Sequence, residues 1–275
     1  MDTQVLENKF VKMGARIEFE DKRRRRWRFG QNQKPVIDVR LVEGKETFII
    51  DLFENKNIDV QVLDLKPDRR HLLLMLREEV GNNKFDISKF LCGHDERHWF
   101  VAAIPEDAHA KNVEDAMTAL KPEIATSAQN RAGVKGKHKH KRKNKGYIRQ
   151  GEWFFIPESI TVKDMLVFKN EPISRGRGSK PHICEELFRS GGETVYVHRD
   201  HAPNGMTQKE FDSHIKANPK HRDPLWRKMT RGATAYARGY VRHSDHKTIY
   251  LNGWHRIEMN MESKARAMAT VVFLD

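Results

Sequence analysis

The chain has 275 residues, 38% of them hydrophobic, enough for one large or two modest domains and too apolar for global disorder. Lys and Arg number 51 against 38 Asp and Glu, a formal net charge of +13, so a polyanion that relieves self-repulsion is the expected partner. No run approaches the roughly 20 apolar residues that span a bilayer, the opening residues lack a secretory pattern, and Cys92 and Cys184 alone form no disulfide framework. Nucleic acid is therefore expected in preference to a membrane, and the cytoplasm in preference to the outside.

The first notable segment is residues 22–29, where Arg23, Arg24, Arg25 and Arg26 precede Trp27 and Phe29. Arginine pairs with phosphate and aromatic rings stack on bases, so this is a candidate nucleic-acid contact. The two-residue spacing of Trp27 and Phe29 suits a polar edge strand equally well. Residues 35–42, 47–53 and 60–65 read as strands, with Glu43-Gly44-Lys45 turning a hairpin between the first two. The short apolar run 71–77 is read as a strand, although periodicity alone does not separate strand from helix there. Apolar runs at 90–92 and 99–104 continue the series. Asn112 to Leu120 predicts a helix with Val113, Met117 and Leu120 on one face.

A basic stretch follows. It carries Lys135, Lys137, Lys139, Lys141, Arg142, Lys143 and Lys145, and no acidic residue lies between Glu123 and Glu152. Like charges at this density resist compaction, so a flexible linker is expected, able to clamp a phosphate backbone without reading its sequence. The expected organisation is an N-terminal α+β lobe over 1–128, a basic linker over 129–147, and a C-terminal α+β lobe over 148–275.

Beyond the linker, residues 152–156 and 193–198 predict strands. Thr207 and Glu210 predict a capping box opening a helix that carries Phe211, His214 and Ile215 and stops before Pro219. Strands are expected at 237–242, 247–251, 254–258 and 270–274, with Asn252-Gly253 as a hairpin turn. Between these, Arg175, Arg177 and Lys180 lie in a glycine-rich loop suited to approaching phosphate. The fold class is α+β, mostly antiparallel sheet with few helices, in two lobes joined by the basic segment.

The histidines carry the chemistry. His94 and Asp95 lie in a run of five ionisable groups between two strands. His198-Arg199-Asp200-His201 and His243-Ser244-Asp245-His246 place the same pattern at two expected strand ends. Imidazole beside carboxylate suits Zn²⁺ or Mn²⁺, or a His base oriented by Asp. His94, Asp95, His201 and His246 are the candidate catalytic groups, and His198, Asp200, His243 and Asp245 the candidate ligands of a divalent metal. His182 and His255 are further candidates. The likeness of the two His-x-Asp-His segments is read as a coincidence of two strand ends. The leading expectation is a nucleic-acid-binding protein, RNA favoured over DNA. The alternatives are a metal-dependent nuclease or phosphodiesterase, and a structural component of a ribonucleoprotein.

Overall fold

The structure is a computed structural model describing residues 3–20, 36–51, 58–81, 84–175 and 179–264. The chain divides into two compact units, one built from residues before 123 together with those just after 259, the other from the residues between. The fold is α+β, and the sheets are antiparallel apart from one pair of strands.

The first unit opens with α1 (Thr3–Met13), whose Leu6, Phe10 and Met13 recur at helical spacing and are buried. Strands β1 (Arg16–Glu20), β2 (Val36–Val42) and β3 (Lys45–Asp51) form a sheet in the order β1-β3-β2. The β2–β3 hairpin turns at Glu43-Gly44 as expected, whereas β1 joins β3 in parallel. Strands β4 (Ile58–Lys66), β5 (His71–Gly81), β6 (Lys84–Asp95) and β7 (His98–Ile104) make a four-stranded antiparallel meander. On β5, Leu72, Leu74 and Leu76 face a core with Phe10, Phe48 and Cys92. Leu73 faces a second core with Val113 and Ala116 of α2 (Val113–Ala119). Both faces of β5 are covered, which is why its apolar run shows no alternation. The side chain of Asn112 caps α2 by accepting from the Asp115 amide at 2.8 Å.

In the second unit, α3 (Glu123–Arg131) precedes β8 (Ile148–Gln150), β9 (Trp153–Pro157), β10 (Phe168–Ile173) and β11 (His182–Ser190). These are followed by β12 (Glu193–His198), β13 (Ala202–Thr207), α4 (Gln208–Ala217), β14 (Arg227–Arg231), β15 (Thr234–Arg242) and β16 (Ile249–Met259). Six strands form one sheet in the order β10-β11-β15-β16-β9-β8, and a separate small sheet has the order β13-β12-β14. Along β9, Trp153 and Phe155 enter a core with Leu187, Ala235 and Leu251, while Phe154 and Ile156 meet Ala125, Ala128 and Tyr147. Strand alternation thus lays α3 on one face and the main core on the other.

Two expectations change. Asn252-Gly253 does not turn a hairpin, because residues 247–258 supply one strand, β16, rather than two. Gly253 has φ +83° within it, and the register with β15 shifts between Ala237 and Gly239. An Asn-Gly pair offers a positive φ, which a bulge uses as readily as a turn. The basic stretch is not an open tether either. Gln129 Nε2 and the Tyr147 hydroxyl both donate to the Lys139 carbonyl, at 2.8 and 3.0 Å, and the Arg149 amide donates to the Arg142 carbonyl at 2.6 Å. Gly146 lies so close to α3 that a Cβ there would be 2.7 Å from the Gln129 backbone. The expected segments at 22–29 and 270–274 lie outside the described residues.

Candidate functional site

The pairing of Ile183 with Arg242 sets the end of β11 beside the end of β15, so His182 stacks on His243 with ring centroids 4.1 Å apart. His246 completes the group, 4.6 Å from His243 and 5.6 Å from His182. One ligand atom from each of His182, His243 and His246 lies within 4.8 Å of the others. His182 is 1% exposed, and neither of its ring nitrogens has a hydrogen-bond partner. Burial, then the neighbouring His243 and His246, lower its pKa from 6.5 to about 3, so it is a neutral donor at physiological pH. A Cβ on Gly151, in the turn after β8, would sit 2.8 Å from His246 Nε2 and 3.4 Å from His182 Nε2. Both Nε2 atoms therefore face that turn. His243 is more constrained, since its Nδ1 accepts from the Asp245 amide at 3.1 Å and its Nε2 lies 3.3 Å from the Lys180 carbonyl.

The first histidine of each His-x-Asp-His segment does the same local work. His198 Nδ1 accepts the amides of Asp200 and His201 at 3.1 and 3.2 Å, as His243 Nδ1 accepts that of Asp245. In each copy the fourth residue stacks on the first, at 4.4 Å for His198–His201 and 4.6 Å for His243–His246. The likeness read as coincidence is a shared turn. Around the first copy, His201, His214 and His221 form one convergent group, and His198, His201 and Asp223 another.

The expected aspartates stand aside. Asp245 is bound by Lys180 at 2.8 and 2.9 Å, which holds its carboxyl below the usual range. Asp200 is exposed, and neither aspartate belongs to a convergent group. His94 and Asp95 lie on β6 in the first unit, where His94 meets the edge of Trp99 at 4.9 Å. No metal-capable group among the described residues includes them. His214, His221 and Asp223 went unselected in the sequence. The signal was there: His198-x₂-His201-x₁₂-His214-x₆-His221.

The basic stretch presents its charge outward. Lys135, Lys137, Lys141, Lys143 and Lys145 are exposed, while Lys139 and Arg142 are half-buried. Burial and then the charge of Arg149 lower the pKa of Arg142 to about 10. Arg149 lies on β8, two residues before Gly151 and its imidazole cluster. Arg175 is exposed in its loop, and Lys180 is committed to Asp245. Arg23, Arg24, Arg25, Arg26, Trp27 and Arg177 lie outside the described residues. Cys92 and Cys184 are buried free thiols, and burial raises both above their usual range, Cys184 to about 12. No helix among the described residues is long and apolar enough to cross a membrane.

Compared with known proteins, the chain matches no family model, no curated protein and no solved structure.

Proposed function

We propose that the chain binds nucleic acid, RNA in preference to DNA, through the basic stretch folded onto its second unit. The observation that carries this reading is the run of exposed lysines, Lys135, Lys137, Lys141, Lys143 and Lys145, in a segment with no acidic residue from 124 to 151. Within it Arg142 is half-buried, and burial first and the charge of Arg149 second lower its pKa to about 10. A phosphate at that place relieves the repulsion and releases its counterions. The exposed lysines around the pair extend the contact along a backbone. Buried thiols fit a reducing, cytoplasmic setting.

The test is a labelled panel of RNA, single-stranded DNA and duplex DNA, titrated at several salt concentrations. Lys137, Lys141, Lys143 and Lys145 are replaced together by Gln. If each meets one single-strand phosphate, the log–log salt slope flattens by about 3, and roughly 50-fold of the affinity change between 50 and 200 mM salt disappears. An unchanged slope removes the stretch from the binding surface.

A second reading has its own support in the unpartnered nitrogens of His182. His182, His243 and His246 would hold a divalent ion there, and such an ion would supply an activated water for phosphodiester hydrolysis. His243 would have to give up one of its two backbone contacts to join. Mn²⁺-dependent strand cleavage abolished by His246→Ala supports this enzyme, and intact strands at every metal concentration reject it.

A further inference from the structure

Residues 193–231 hold together in a way that their apolar side chains do not explain. This span of about 40 residues contains β12, β13, α4 and β14, with a three-stranded sheet of its own. Only Val195, His198 and Ala202 in it are buried, α4 buries no residue, and none of the three joins the hydrophobic clusters of the unit. Spans this small usually need a disulfide, a metal or a partner to fold. Neither cysteine of the chain lies within it. Its interior is instead a cluster of rings, with His201 stacked on His221 at 3.9 Å, His198 tilted against Trp226 at 5.0 Å and Phe211 edge-on to Trp226 at 4.8 Å.

We propose that this ββα segment is a metal-stapled module in which one Zn²⁺ is bound by His201, His214 and His221, with the Asp223 carboxylate beside His201 and behind the metal. The hairpin β12–β13 brings His201 to the N-terminal half of the site, and α4 with the turn after it brings His214 and His221. His201 and His214 are separated by 12 residues, the spacing between the two ligand pairs of ββα zinc fingers, with histidine standing here for cysteine and His221 following after six. Donor atoms of His201, His214 and His221 lie within 4.8 Å of one another, and His214 Nε2 is 3.0 Å from His221 Nδ1. A tetrahedral Zn²⁺ with bonds of about 2.0–2.1 Å sets its nitrogens roughly 3.3 Å apart, so small movements close the site.

His198 serves behind the ligands. Its Nδ1 is occupied by two backbone amides, which places its proton on Nε2, 3.3 Å from Asp223 Oδ2. That nitrogen makes no hydrogen bond in the structure, and a small turn of the Asp223 carboxylate would let it donate and orient the carboxylate. Trp226 Nε1 donates to the His221 carbonyl at 2.8 Å and ties the last ligand to the ring cluster.

The inference is independent of nucleic-acid binding, and its test uses the full chain. Protein stripped with EDTA is compared with protein given one equivalent of Zn²⁺, by hydrogen exchange resolved along the chain. Zinc is expected to slow exchange at least tenfold within 193–231, and Co²⁺ in its place to show the intense visible bands of a tetrahedral site. His214→Gln with His221→Ala abolishes both effects, while His182→Ala with His246→Ala retains them. Asp223→Asn weakens zinc binding by about 10- to 100-fold. Exchange across 193–231 that ignores zinc overturns the proposal. So does one-equivalent binding that survives the His214 and His221 substitutions.

Discussion

Replacing Gly146 by alanine tests whether the basic stretch owes its shape to close packing on α3. The new Cβ would meet the Gln129 amide nitrogen and Cα at 2.7 Å. Ordinary contact begins near 3.4 Å, so the loop has to retreat by about 0.7 Å from a helix backbone that cannot yield. That retreat strains the Gln129 and Tyr147 hydrogen bonds to the Lys139 carbonyl, each worth about 1 kcal/mol. Overpacking of this kind costs about 1–3 kcal/mol in total, and 2 kcal/mol corresponds to roughly a 30-fold change in an equilibrium. The amides of Asn144 and Arg149, which donate to the Tyr147 and Arg142 carbonyls, should exchange about 30-fold faster in Gly146→Ala. Affinity for RNA should fall in the same variant, because the ligand then bears the cost of ordering the loop. Exchange within threefold of the parent would refute the reasoning and return the stretch to a mobile tether.

Two further outcomes follow from local chemistry. His182 has a folded pKa of about 3 against 6.5, so the unfolded chain binds the extra proton between those values. Its contribution to stability is complete above pH 6.5 and is lost as pH falls toward 3, with a slope of up to about 1.4 kcal/mol per pH unit. His255, lowered by burial, acts in the same direction. Urea midpoints measured from pH 7 to 4 should decline less steeply in His182→Phe than in the parent, and parallel curves contradict the buried neutral imidazole. Thr207→Ala removes the capping box with Glu210 and should cost about 1 kcal/mol, seen as faster exchange in the first turn of α4. No change there would mean that the helix start is held by its tertiary contacts.

The strands of the first unit were legible because β2, β3 and β4 carry β-branched residues with turn signals between them. Strand β5 gave no period since its two faces enter two cores. The parallel place of β1 depends on a partner about 30 residues away, which local pattern does not encode. In the basic stretch, charge masked the few residues that decide its shape: Gln129, Gly146 and Tyr147 fix the path, and the lysines merely follow it. The histidine segments were visible as strings, but what they do was not. A strand neighbour brings His182 to His243, and a hairpin and helix bring His214 and His221 to His201. The aspartates were chosen for their place beside histidine in sequence, whereas in the fold Asp245 pairs with Lys180 and Asp200 is exposed.

The placing of Arg142 and Arg149 in the basic stretch has a consequence for the bench. If a polyanion seats between Arg142 and Arg149, occupancy and thermal stability are linked, and saturation at 100 times Kd raises the second unit's stability by about 2.7 kcal/mol. The melting temperature then depends on how the protein was purified. Preparations washed free of nucleic acid at high salt would unfold earlier than those that carry it over, and the difference would report the ligand before any binding assay was run.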